Sequence, residues 1–325
     1  MPTIYEKVRE RLDMFPQGFP KTKSGVELEI LQTLFTPEEA ELMLSLRPFP
    51  ETVGAISGRA GRDEKELDEI LGRMAKKGLI FRINSPDQKT LYFLVPWMVG
   101  IWEFQLKNLD SRNIQLYEKY FAEGMVPERK ETKTSGMRVI PVEKEIHSAT
   151  EIQPYEKVSA IIDSNHKFAV AECICRKEAR MMGKGCNKLL EACMSFGPAA
   201  DYYIKNGLGR EVSKEEVRRI LLQTEEEGLV HCSSNHSGSK LFICNCCGCC
   251  CKALGFITQH NIPTAIAKAN YYAQVDEETC IGCETCVERC QVKAVRVQND
   301  HAIFDQDRCI GCGLCASSCP TKIPV

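Results

Sequence analysis

Apolar positions recur at helical spacing through the first third of the chain. Thr36-Pro37-Glu38-Glu39 opens a helix, with Thr36 as N-cap, Pro37 in the first turn and Glu39 closing a capping box. Leu42, Met43 and Leu46 supply its apolar face. Thr52 to Arg59 predicts a short second helix ending near Gly61, and Asp63-Glu64-Lys65-Glu66 starts a third. In that third helix Leu67, Ile70, Leu71 and Met74 follow the i, i+3, i+4, i+7 pattern of one buried face. Arg73, Lys76 and Lys77 suit its C-terminal dipole, and Gly78 its C-cap. Two apolar runs, Leu79–Ile83 and Leu91–Val95, flank a Ser-Pro-Asp turn and predict a hairpin.

Downstream, residues 97–125 read as helical and residues 126–150 as a polar linker with an edge strand at Arg138–Val142. Pro154 to Asp163 predicts a helix and Phe168–Ala171 a buried strand. Ser213–Glu216 opens a further helix ending at residues 226–230. Over residues 27–96, three helices and a hairpin resemble a winged-helix domain. Many such domains bind DNA, but the third helix presents Asp63, Glu64, Glu66, Asp68 and Glu69, a face that phosphates repel. The charge favours a protein-docking module, and nucleic acid is not an expected partner.

Nineteen cysteines change the picture, because none precedes Cys173. The N-terminal stretch has no apolar signal core, and the most apolar run, Leu91 to Phe104, is too short to span a bilayer and is broken by Pro96. A cytoplasmic location is therefore expected, where clustered cysteines read as metal ligands or redox groups rather than disulfides. Net charge is −2, so no global pull toward nucleic acid or membrane exists. P-loop, G-x-G-x-x-G and G-x-S-x-G motifs are lacking, so nothing argues for nucleotide, flavin or serine-hydrolase chemistry.

Cys280, Cys283, Cys286 and Cys290 have C-x2-C-x2-C-x3-C spacing, and Cys309, Cys312, Cys315 and Cys319 repeat it 29 residues on. Each tight loop can place three thiolates on one cubane, while the fourth cysteine ligates the other cluster. Cys280, Cys283, Cys286 and Cys319 are thus assigned to one [4Fe–4S] cluster, and Cys309, Cys312, Cys315 and Cys290 to the second. Gly282, Gly311 and Gly313 let backbone N–H groups approach the sulfurs. Residues 295–304 read as the hairpin between the halves. The segment closely resembles bacterial dicluster ferredoxins, which implies low-potential one-electron transfer. One departure is Gln291, where that family usually has proline after the fourth cysteine.

The other eleven cysteines include Cys173, Cys175, Cys186, Cys193, Cys232 and six within residues 244–251. Thiolate-rich sites select zinc, Cu(I) or iron–sulfur, and beside a ferredoxin segment iron–sulfur is the reading, with zinc or a thiol redox centre as alternatives. The expected site is a further cluster on Cys175, Cys186, Cys193 and one cysteine of residues 246–251, entered as Cys246. Cys173 could replace Cys175, since a C-x-C pair on a strand points only one thiol inward. Arg176 either balances cluster charge or is an ordinary surface arginine. His231 and His236 fit a solvated loop better than a ligand role. The Cys173–Cys251 pattern ahead of the ferredoxin segment is similar to a family of multi-cluster iron–sulfur proteins of anaerobic bacteria and archaea, some with winged-helix N-termini.

The expected architecture is multidomain α+β: a winged-helix-like part (1–125), a linker and cysteine-rich α/β part (126–268) and a dicluster ferredoxin part (269–325). The expected function is electron transfer to or from a redox partner protein. The alternatives are a redox-sensing transcriptional regulator and an iron–sulfur reductase with its own substrate site. If the chain is an enzyme, it is an iron–sulfur oxidoreductase or a subunit of one. Substrate, partner, potentials and oligomeric state are not written in these motifs.

Overall fold

The computed structural model describes residues 1–85, 87–132, 134–143, 157–236 and 238–321. They divide into two compact units. One holds Met1–Glu131 with Asp201–Gly209, and the other holds Thr132–Ala200 with Arg210–Val325.

The first unit mixes helices with a small sheet. Thr36 caps Pro37–Leu44, and its hydroxyl and the Glu39 carboxylate exchange hydrogen bonds with each other's backbone N–H groups. Thr52 caps Val53–Ala60, which ends at Gly61 in the left-handed conformation. Asp63 caps Glu64–Lys76, which buries Leu67, Ile70, Leu71 and Met74. Strands β1 (Glu51–Thr52), β2 (Phe81–Asn84) and β3 (Thr90–Phe93) form an antiparallel sheet in the order β1-β3-β2. Residues 97–125 are less regular than the sequence suggests. They contain short turns at Trp97–Ile101 and Glu103–Gln105, then the helix Ser111–Tyr120. Asp201–Gly209 belongs to this unit because Tyr202 stacks on Phe81 at 4.3 Å and donates its hydroxyl to the carbonyls of Ala75 and Ile80.

The second unit is built on six strands: β4 (Met137–Ile140), β5 (Phe168–Glu172), β6 (Glu191–Phe196), β7 (Arg210–Glu211), β8 (Val230–Ser234) and β9 (Phe242–Cys246). Their order is β4-β8-β9-β6-β5-β7, and every pairing is antiparallel. β4 is an edge strand, as its sequence suggests, although the isolated bridge Arg138↔Ala267 covers that edge. The predicted helix at 154–163 is seen as Val158–Asp163; residues 154–156 lie outside the described residues.

Alternation along the strands gives the sheet two chemically different faces. Ile140, Phe168, Val170, Met194, Phe196 and Ile243 point to one, where Val158–Asp163 and Lys214–Glu226 cover them with Ile161, Ile162, Val217, Ile220 and Leu221. Val139, Cys232, Cys244 and Cys193 lie in register across the other. Cys246 follows Cys244 by two residues and joins that same face.

The C-terminal segment packs onto this thiol face. Val292, Ala294, Ile310 and Leu314 share one core with Val139, Val142, Val230, Cys232, Leu254 and Ile257. Its hairpin pairs β10 (Val295–Gln298) with β11 (His301–Phe304). The residues expected to form separate middle and C-terminal parts thus share a core in one compact unit, because the apolar residues of the C-terminal segment are buried against this face.

Candidate metal centres

The two C-terminal cysteine loops wrap around short helices, Thr285–Arg289 and Leu314–Ser317. A small, mainly apolar cavity is lined by Cys290, Cys309, Cys312 and Cys315, with Val292, Ala294 and Leu314 among its walls. Cys290 therefore stands with three cysteines of the other loop. Cys286 is buried in a separate small core against which Cys280 packs, while Cys319 Sγ lies 3.4 Å from the Thr321 hydroxyl.

The donor set fits iron–sulfur ligation. Burial pushes the thiols of Cys312 and Cys315 up, so this apolar cavity favours protonated sulfur until a metal displaces the protons. Backbone N–H groups are aimed at sulfur: Ala294 donates to Cys290 at 3.2 Å and Ala302 to Cys280 at 3.4 Å. Gly311 sits at φ +68°, and a Cβ there would come 2.2 Å from the Tyr271 carbonyl oxygen. The loop closes this tightly only around glycine.

The remaining eleven cysteines fall into two groups. In the first, the sulfurs of Cys186, Cys247, Cys249 and Cys250 all lie within 4.8 Å of one another. The other seven gather at the sheet: Cys193, Cys244 and Cys232 lie in register on one face with Cys246 following on it, Cys232, Cys246 and Cys251 share a core against which Cys175 and Cys244 pack, and Cys173 precedes Cys175 by two residues. Of the four ligands named from the sequence, Cys175, Cys193 and Cys246 thus belong to the seven-thiol group, whereas Cys186 is drawn to the other. The division follows from strand register, which sets Cys193, Cys244 and Cys232 side by side. Cys173 and Cys175 are not on a strand. Cys173 is the N-cap residue of the helix Ile174–Met181, and Cys175 lies in its first turn.

Arg176 is no surface arginine. It is fully buried, donates to the carbonyls of Leu189 and Asn245, and its charge helps hold the Cys247 thiol below its ordinary value. Its guanidinium offsets negative charge that deprotonated thiols would bring. Arg176→Met keeps much of the volume but strands two buried carbonyls. We expect a loss of about 1–3 kcal/mol, read from the denaturation midpoint of the holoprotein.

His231 differs from expectation as well: it is a buried strand residue rather than a solvated one. It is 2.6 Å from Asn245 Oδ1 and 3.2 Å from Glu225 Oε1. Asn245 in turn accepts from Thr224 and donates to the Ala192 carbonyl. Glu178 and Lys252 lie 3.3 Å apart, and burial pushes the carboxyl up to about 8 and the amine down to about 8.

The residue that sequence reasoning marked only as a departure, Gln291, joins the two cysteine regions. Its side-chain oxygen accepts the Gly248 N–H at 2.9 Å, between Cys247 and Cys249. Arg289 adds two bonds to the carbonyls of Glu225 and Glu226, the exposed acceptors of a helix C-terminus. Arg308 reaches the Ile257 carbonyl and Asn261. All three contacts are non-local, so motif spacing carries no sign of them.

Residues 273–324 match the family model for a 4Fe-4S dicluster domain. No curated protein and no solved structure matches the chain. The matched segment and the thiol-lined cavity within it together identify [4Fe–4S] clusters as the cofactor of the C-terminal part. No helix among the described residues is long and apolar enough to cross a membrane.

Proposed function

We propose that this chain is a cytoplasmic iron–sulfur electron-transfer protein that exchanges electrons with a partner oxidoreductase. Cys280, Cys283, Cys286 and Cys319 would hold one [4Fe–4S] cluster, and Cys290, Cys309, Cys312 and Cys315 the second. The seven-thiol group, through Cys175, Cys193, Cys246 and a neighbour such as Cys251, would hold a further one. When bound, such clusters supply one-electron transfer at potentials set by charge, N–H···S bonds and exposure.

The carrying observation is the hydrogen bond from Gly248 to Gln291. It ties the backbone beside Cys290 to the loop that bears Cys247 and Cys249, so the two thiol-rich regions are joined directly within one compact unit. A protein with independent clusters has no need of that junction. The order β1-β3-β2, with Pro37–Leu44 before β1 and Val53–Ala60 and Glu64–Lys76 between β1 and β2, supports a winged-helix reading of the first unit, and the acidic residues of Glu64–Lys76 support protein docking there.

A potentiometric titration followed by electron paramagnetic resonance tests this. Reversible one-electron reductions at low potential are expected. Clusters that are lost on oxidation, together with duplex-DNA binding that weakens steeply with salt, would instead make the chain a regulator.

A further inference from the structure

We propose that Cys186, Cys247, Cys249 and Cys250 form a mononuclear site that holds one divalent metal ion in a closed tetrahedron of thiolates. Cys186 Sγ lies 3.9 Å from Cys247 Sγ and 3.7 Å from Cys250 Sγ, and Cys249 Sγ lies 3.6 Å from Cys250 Sγ. A tetrahedral ion with metal–sulfur bonds of about 2.3 Å has sulfur–sulfur edges of about 3.8 Å. The thiolates of a cubane stand on a much larger tetrahedron, because four irons and four sulfides lie between them. The limit of 4.8 Å across all four sulfurs leaves no room for that body.

The surroundings suit a closed site. Cys247 and Cys250 are buried and Cys186 half-buried, and Ala179 and Leu229 pack around them. Cys249 is exposed, giving a metal a way in. Binding converts four thiols and M2+ into a tetrathiolate of charge −2 and releases four protons. Arg176, fully buried and bonded to the Asn245 carbonyl two residues before Cys247, compensates part of that charge. Thiolate donors and this geometry select zinc or ferrous iron. With four protein ligands no coordination position stays open, so the site holds the Gly248 loop in shape rather than binding substrate.

The inference is independent of the electron-transfer reading, because clusters carry inorganic sulfide and this site carries none. The test uses the full chain assembled anaerobically, with zinc, iron and acid-labile sulfide measured per chain. One metal atom beyond the iron matched by sulfide is expected, as zinc or as excess iron. Cys186→Ser/Cys249→Ser should lose that atom and keep its sulfide. X-ray absorption of the parent protein at the edge of that metal, which needs no variant, should show four sulfurs at about 2.3 Å. Loss of iron and sulfide in equal numbers would make these residues cluster ligands and overturn the proposal. Metal content equal in parent and variant would overturn it too.

Discussion

Cys290→Ala will assemble with about four fewer irons and four fewer sulfides than the parent, and adding Cys309→Ala will cost almost nothing more. Adding Cys280→Ala instead will remove about four further irons. The reason is spatial: Cys290 lines one cavity with Cys309, Cys312 and Cys315, although in sequence it belongs to the other loop. Two substitutions at one cluster overlap in effect, whereas two at separate clusters add. Iron and sulfide assays on the two double variants check the assignment. Additivity in the Cys290/Cys309 pair, with overlap in the Cys280/Cys290 pair, would return each cluster to a single loop.

Gly248→Ala will loosen the C-terminal segment from the sheet. A Cβ at Gly248 would lie 2.0 Å from the Gln291 carbonyl oxygen and 3.1 Å from its carbon. Both are backbone atoms, so no rotamer change relieves the clash. We expect a cost of roughly 1–3 kcal/mol for overpacking, seen as a lower denaturation midpoint of the holoprotein, with slower equilibration of electrons between the halves. Gln291→Ala is the milder comparison. It removes the acceptor of the Gly248 N–H without a clash and should cost about 1 kcal/mol. Equal stabilities of Gly248→Ala and the parent would show that the junction does not hold the halves together.

Local signals in the sequence were reliable. The Thr36/Glu39 capping box, the Asp63 cap, the Gly61 stop and the hairpin at residues 295–304 all depend on residues a few positions apart, and each is present. The ferredoxin loops were legible for the same reason, since their ligands lie within one tight turn each. The middle cysteines were not, because their grouping depends on which strands pair and in what register. Cys193, Cys232 and Cys244 become neighbours only once β6, β8 and β9 align. Cys173 and Cys175 are off the strand because β5 ends at Glu172, Cys173 is the extended N-cap and a helix begins at Ile174. The buried positions of Arg176 and His231 likewise come from partners such as Leu189, Asn245 and Glu225, which no motif links to them. The role of Gln291 depends on Gly248, which stands opposite it and 43 positions away in sequence.

The central claim is that the thiol-rich sheet face carries an iron–sulfur centre in addition to the two of the C-terminal segment. Anaerobic reconstitution with iron and sulfide quantitation, joined to electron paramagnetic resonance of the reduced protein, tests it most directly. The account predicts about twelve sulfides per chain and a signal beyond those of the C-terminal pair. About eight sulfides, with every signal lost when Cys280, Cys290 and Cys309 are replaced together, would contradict it.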